Sequence, residues 1–427
     1  MRLRLSTLVV CLACGTTSVA WGEESDSGPN LEARSYGGTA MGMANGPFGL
    51  KLGEGSLLHA SLGADIGYDS NVFYTQTPIS ATVAHVTPAV DVSNASRDGS
   101  APDAVYYDLG ANLVYREYLS GGDAVRSQRA FNPTVMGLLR FSSRQTLSLS
   151  LSEAFARSQD PPYAVNSPAI VHDRNTAALQ LKLAPGGGRI QAILRYTNAI
   201  DVYETDLYKS GNNMYNEGLL DLSWRWLPKT AFYVQVAQGA VTYLQSNTGR
   251  FASYPFRAMA GLRGLLTAKL AVNLGAGYTN GFYASGAATS SGFGDVVLLG
   301  ELNYSISMIS QAGLGYKHEF QNSPLVGDFY DLDTVYGSLR DLVGGRVALS
   351  VYARFENRRY HGAQFTTQGR TDNVVTAGLT ADYMIQRVFY LGVGYTLTYV
   401  STNNQSSNGG GVDFTKHVVV ARAGVLY

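Results

Sequence analysis

The sequence predicts an all-β protein, a closed antiparallel transmembrane β-barrel of the outer-membrane type with about 18 strands, in a range of roughly 16 to 20. Three observations predict it. Apolar and polar residues alternate with a period of two over long segments, the links between those segments alternate between short and long, and the last strand ends on an aromatic residue, Tyr427. The final hairpin shows the pattern best. Phe389, Leu391, Val393, Tyr395, Leu397 and Tyr399 share one face, while Tyr390, Gly392, Gly394, Thr396 and Thr398 share the other, which is strand periodicity rather than helix periodicity. After the polar run 401–411, His417, Val419, Ala421, Ala423, Val425 and Tyr427 resume the pattern opposite Lys416, Val418, Val420, Arg422 and Gly424.

The ends and the composition bound the rest. Arg2 and Arg4 precede a short apolar run, then small residues with Ser18-Val19-Ala20, which reads as a secretory signal over 1–20 cut after Ala20, or after Gly22 as second choice. Cys14 hints at a lipid-attachment site, but Cys11 before it fits that pattern badly. Both cysteines lie in the signal, so the mature chain is held by backbone pairing and packing alone. Without Arg2 and Arg4 the 32 Lys and Arg fall to 30 against 32 Asp and Glu, a balance that offers nothing to nucleic acid. No later run reaches the ~18 apolar residues of a transmembrane helix. Yet 48 Gly, 28 Tyr and only 15% charged residues do not describe an ordinary soluble domain. A secreted β-sandwich or solenoid is the plain alternative, but its strands usually have about 5 to 6 residues, fewer than these.

Residues 21–54 lack a period and read as a periplasmic leader or a small plug; the barrel is expected over 55–427. Leu58, Ala60, Leu62, Ala64, Ile66 and Tyr68 form the first outer stripe, with His59, Ser61, Gly63, Asp65 and Gly67 between them. A second strand is placed at 84–93 and a third at 105–119, where Tyr107, Leu109, Ala111, Leu113 and Tyr115 alternate against Asp108, Gly110, Asn112 and Arg116. Others follow near 129–141, 144–157, 172–184, 189–202, 213–226, 229–243, 253–265 and 268–280. The remainder are expected near 294–306, 310–321, 328–341, 345–359, 372–384, 387–400 and 413–427. Tight links such as Leu227-Pro228 and Leu266-Thr267 alternate with long polar ones such as 158–171 and 283–292, the asymmetry of periplasmic turns and extracellular loops. The link 94–103 breaks this rule, which makes the second strand the least defined. An open sheet would leave unpaired backbone groups in lipid at several kcal/mol each, so the sheet must close.

Trp224 and Trp226 fall on the apolar face at the short-turn end, where an aromatic belt anchors a barrel; Tyr68, Tyr115, Tyr399 and Phe320 supply the opposite belt. The other register defines candidate lumen-lining residues: Asp65, Tyr106, Asp108, Arg116, Tyr118, Arg195, Asp221, Arg225, Tyr233 and Glu301, then Lys317, Glu319, Tyr352, Arg354, Glu356, Arg358, Asp382, Tyr390 and Arg422, and Lys269 lies on the same inward face. A cation at the lipid midplane would cost about 2–4 kcal/mol, so these positions belong to a wet interior, where charges can also pair across the wall. Their balanced signs argue against strong ion selectivity. Gly110, Ser148, Ser150, Ser152, Gly275, Gly277, Gly313 and Gly378 leave space there.

No chemistry competes with this reading. The chain has no phosphate-binding loop, no HExxH and no GxSxG, and its six histidines show no metal spacing. No catalytic residue, metal or cofactor is expected. Asp328, Asp331 and Asp333 could hold calcium but read more simply as a solvated strand mouth.

Gly67-Tyr68-Asp69-Ser70-Asn71-Val72-Phe73 and Asp413-Phe414-Thr415-Lys416-His417 resemble the first-strand ending and the last strand of the "putative beta-barrel porin" family, and Tyr115-Arg116-Glu117-Tyr118 is similar to a further segment of it. The terminal Tyr427 departs from the commoner Phe. That family includes outer-membrane barrels of exopolysaccharide export by flippase and polymerase. The resemblance implies a translocation channel for a secreted polysaccharide in the outer membrane of a diderm bacterium. It also implies a periplasmic polysaccharide-export protein as partner. The C-terminal strand would engage the barrel-assembly machinery, and the outer face the outer-membrane lipid. A general or nutrient diffusion porin and an outer-membrane enzyme or adhesin-like barrel stay open as alternatives. In the first reading Tyr106, Tyr118, Tyr233, Tyr352 and Tyr390 are candidate sugar contacts.

Overall fold

The computed structural model describes residues 49–52, 55–94, 104–143, 146–160, 170–245, 250–283, 294–323, 329–361, 369–385, 388–403 and 413–427. Residues 1–20, expected above as a signal, the expected leader up to residue 48, most of the link 94–103 and Asp328 lie outside the described residues.

Eighteen strands form the wall. The first six are β1 (Leu57–Asp69), β2 (Ala81–Ser93), β3 (Val105–Tyr118), β4 (Ala130–Ser143), β5 (Leu147–Asp160) and β6 (Ile170–Leu183). Then come β7 (Ile190–Tyr203), β8 (Asn213–Leu227), β9 (Thr230–Tyr243), β10 (Phe256–Leu265), β11 (Leu270–Asn280) and β12 (Gly294–Ser305). The last six are β13 (Ser310–Asn322), β14 (Phe329–Val343), β15 (Val347–His361), β16 (Arg370–Ile385), β17 (Phe389–Thr402) and β18 (Phe414–Leu426). Each pairs antiparallel with the next, and β18 returns to β1 with Arg422 opposite Asp65 and Val419 opposite Tyr68. Closure gives every strand two neighbours and leaves no edge to satisfy in lipid. Leu50–Lys51 adds a two-residue pairing against the start of β1.

Alternation sets which side chains face out. On β17, Phe389, Leu391, Val393, Tyr395 and Tyr399 are exposed while Tyr390, Thr396, Thr398 and Val400 between them are buried. The same inversion, large apolar groups outside and polar ones within, recurs around the sheet, and an apolar hydrocarbon solvent is what makes it favourable. No helix among the described residues is long and apolar enough to cross a membrane. Trp224 and Trp226 stand on the outer face at the short-turn end and pack on Phe232, with ring centroids 6.4 and 5.4 Å apart. Toward the other end the outer face turns polar. His318 and Arg359 meet Asp333 at 2.8 and 3.2 Å, and His361 meets Asp331 at 3.0 Å. Those two aspartates, considered above for calcium, are therefore engaged by histidine and arginine.

β5, β10 and β2 each depart by three residues from the expected bounds, β5 running over Leu147–Asp160 rather than 144–157, and proline accounts for the shift in β10. β10 begins at Phe256 rather than 253, because Pro255 has no N–H to continue a ladder; Ser253 makes only isolated bridges to Val241 and Tyr283. β2 begins at Ala81 rather than 84 and carries Pro88 inside it, and its pairing with β3 is interrupted between Val86 and Ala89. Lys269, assigned above to the interior, lies in the turn before β11 and donates to the Ile306 carbonyl at 3.0 Å.

The two stretches that carried the family resemblance meet at the seam. Asp69 receives Lys416 Nζ at 3.0 Å and the Tyr118 hydroxyl at 3.1 Å. Ser70 Oγ accepts the His417 N–H at 2.8 Å, and Asn71 Nδ2 donates to the Thr415 carbonyl at 3.3 Å. Gly67 lies so close to the Val419 carbonyl that a Cβ would collide with it. Beyond the strand, Val72 is buried with Val83, Tyr118 and Val125, and Tyr74 with Val374, Val400 and Phe414. The motif is a latch that fastens the first strand to the last at the loop-bearing mouth.

Candidate functional site

The interior face falls into two unlike sectors. From β16 across the seam to β2 it is packed: Thr376, Asp382, Tyr390, Thr396, Lys416, Arg422, His85 and Thr87 are all buried. Burying an unpaired charge is unfavourable by several kcal/mol, and here each charge has a mate. Arg422 Nε donates to Asp382 at 2.6 Å, His85 Nδ1 lies 2.6 Å from Asp65, and Arg370 Nε and Nη2 reach Asp372 at 2.9 and 2.6 Å. On neighbouring β15, Arg358 grips Glu356 at 2.9 and 2.6 Å, and Arg354 meets the same carboxylate from the other side.

The sector from β4 to β6 is open. Its axis is the interior row of β5, Ser148, Ser150, Ser152, Ala154, Ala156 and Ser158, each half-buried or exposed. Register places Ser148 between Ser142 and Lys182, Ser150 between Arg140 and Gln180, and Ser152 between Leu138 and Ala178. Short side chains make the wall thin here. The larger groups stand at its periplasmic end, where Arg140 lies over the Tyr106 ring at 5.0 Å from the centroid. Such a surface offers hydroxyl, amide and cationic groups that can be exchanged from one ligand group to the next. Among the described residues no cluster of His, Cys, Asp and Glu is arranged to hold a metal ion.

All nineteen candidate lumen residues lie on the interior register, but in different settings. Tyr106 donates to Asp108 at 3.0 Å; Arg116 donates to the Gln159 carbonyl at 2.6 Å; Arg195 Nε donates to Gln180 at 3.1 Å. Asp221 accepts both guanidinium nitrogens of Arg263 at 2.8 and 2.7 Å, while Arg225, at the rim, reaches the Gly187 carbonyl at 3.3 Å. Glu301 accepts from Asn273 at 3.0 Å and from the Tyr336 hydroxyl, Lys317 sits 5.6 Å over the Tyr336 ring, and Glu319 accepts from Gln321 at 3.0 Å.

Two expectations need correcting. Tyr118, Tyr233 and Tyr390 are only 3, 3 and 5% exposed, so their rings are occupied by the wall and cannot present a face to a passing sugar. And some glycine space is filled rather than open: Tyr352 lies over Gly378, and Tyr390 over Gly424, where a Cβ would strike the ring. Sequence reasoning also passed over Arg140, Lys182, Arg263 and the Arg370–Asp372 pair. Lys182 was legible, since Leu181 and Leu183 on either side fix its face; the Arg263–Asp221 pair, bridging β8 and β10, was not.

A family model described as "Putative beta-barrel porin 2" matches residues 44–425. A search of curated proteins found no match. Among solved structures the chain is similar to OccAB3 of Acinetobacter baumannii at 11% identity, covering 87% of this chain and 99% of that one with a TM-score of 0.46. It is similar to OccK2 (OpdF) of Pseudomonas aeruginosa at 12% identity, covering 86% and 98%, TM-score 0.46. The siderophore receptor PirA of Acinetobacter baumannii resembles it at 8% identity, covering 87% and 80%, TM-score 0.43. At such scores these likenesses say nothing about function.

Proposed function

The chain belongs to the "Putative beta-barrel porin 2" family and is an outer-membrane porin-like channel, and from that premise we propose that its cargo is a secreted polysaccharide. The observation that carries this reading is the β5 row. A polymer in transit must find, at every height, groups that bind it weakly enough to release it. Ser148, Ser150, Ser152 and Ser158, with Ala154 and Ala156, supply a low, mostly hydroxyl-bearing track along a whole strand. Tyr106 and Tyr352, the two candidate tyrosines left partly exposed, are the aromatic groups a sugar would meet, Tyr106 beneath the Arg140 guanidinium. The deep ion pairs of the packed sector hold the wall rigid around that track. A periplasmic polysaccharide-export protein would deliver the chain, and the channel itself performs no covalent step.

The test is deletion of the gene with complementation, followed by an assay of cell-surface exopolysaccharide. Loss of surface polymer with material retained in the cell is the expected result. Normal surface polymer with slowed uptake of small solutes would replace this reading with a diffusion porin.

A further inference from the structure

The signs of the interior charges balance in sequence, but the structure sorts them. Around the seam each buried cation is joined to a carboxylate, as in Arg422–Asp382, Lys416–Asp69 and Arg370–Asp372. At the periplasmic end of β4 to β8 they are not. Arg140 covers the Tyr106 ring, Arg225 reaches the backbone carbonyl of Gly187, and Lys182 lies within electrostatic range of Arg140, Arg225 and Arg263. Among the described residues Arg140, Lys182 and Arg225 have no ion-pair partner. Of the acids around them, Asp221 holds Arg263 at 2.7 and 2.8 Å, and Asp108 accepts the Tyr106 hydroxyl at 3.0 Å with Asp91 beside it.

Each of these cations has a small neighbour on one side, while Tyr106 stands opposite Arg140 and Ile193 opposite Lys182 on the other. Ser150 stands opposite Arg140, Ser148 opposite Lys182, and Ala231 opposite Arg225. With strands about 4.8 Å apart, Arg140 on β4 and Lys182 on β6 flank the β5 serines across a notch roughly 10 Å wide. Like charges gathered on one partly buried wall repel each other unless an anion neutralises them, and they raise the local concentration of anions.

We propose that Arg140, Lys182 and Arg225 receive the anionic groups of an acidic polysaccharide where it enters the open track from the periplasm. This rests on the polysaccharide reading and narrows it to polyanionic chains. Arginine offers the fork that matches a carboxylate, and lysine a point charge that can follow it to the next unit.

The experiment uses the mature protein in planar lipid bilayers. Oligogalacturonate and a maltooligosaccharide of equal length are added from the periplasmic side, and current block is measured for wild type, K182Q and the triple variant R140Q/K182Q/R225Q. The acidic oligosaccharide is expected to block wild type at much lower concentration than the neutral one. Each charge removed should weaken that block about fivefold while leaving the neutral sugar unaffected, and anion preference in a salt gradient should fall in step. Equal block by both sugars in wild type, or a triple variant that keeps the acidic preference, overturns the site and leaves the polysaccharide reading standing. Block by neither sugar, with salt current intact, overturns both.

Discussion

The wall from β16 through the seam to β2 and the wall from β4 to β6 are made of the same alternating strands, yet their interior faces differ in kind. The first is filled with bonded charges and flat tyrosines; the second is lined by serine and alanine and stays open. Alternation therefore explains the barrel but not its division of labour. What separates the sectors is how the polar face is satisfied, by partners in the wall in one and by whatever occupies the lumen in the other. A channel needs both, since a polar track must be held in a closed wall by something other than the track itself.

The comparison can be broken most forcefully at its packed side. Asp382→Ala leaves Arg422, 6% exposed, without its mate, and a widowed buried charge costs roughly 3–5 kcal/mol. Urea titration of the refolded mature barrel in lipid should show that loss, and Asp382→Ala with Arg422→Met should recover much of it. An unchanged midpoint would mean that lumen water reaches the packed sector after all. Next in size is the outer face. Val393→Arg, at a β17 position 55% exposed outward, should destabilise by about 2–4 kcal/mol if it sits near the lipid midplane. A neutral result in lipid would remove that stretch from the membrane. Smaller again is the latch. Asp69→Asn weakens one charged hydrogen-bonded contact to Lys416, worth about 1.5–3 kcal/mol, and should slow seam closure in a refolding assay more than it changes the finished barrel.

Much of this fold was legible because a strand encodes its faces locally, through residues two apart. Leu179-Gln180-Leu181-Lys182-Leu183 declares its own inner and outer sides with no knowledge of any neighbour. The strand order followed from link lengths, and closure from the energetics of an edge in lipid. The sectors were not legible in the same way. Whether an inward arginine is paired depends on the register between strands. Asp221 finds Arg263 by reaching past Ala231 and Gln235 on β9, a relation that spacing along one strand does not reveal. For the same reason Tyr390 looked like a surface facing the lumen and proved to be a lid over Gly424. The Asp69-Ser70-Asn71 stretch was visible as a pattern, but its work at the seam emerged only when Lys416 and His417 were placed beside it.

The smallest effect on stability is expected on the β5 row proposed above as the transport track. Ser152 is exposed on the interior face between Leu138 and Ala178. Ser152→Trp should therefore shift the unfolding midpoint by less than about 0.5 kcal/mol. Thr396→Trp makes a similar change in bulk in the packed sector, where Thr396 is 6% exposed, and overpacking there costs about 1–3 kcal/mol. If one wall conducts and the other supports, the two variants should trade places when single-channel conductance and surface polysaccharide are measured. Ser152→Trp should then lower both in a stable barrel, while Thr396→Trp leaves conductance near wild type in a weaker one. Equal losses of conductance from both would put the path along the axis of the lumen rather than along β5, because only a central path is narrowed alike from either side.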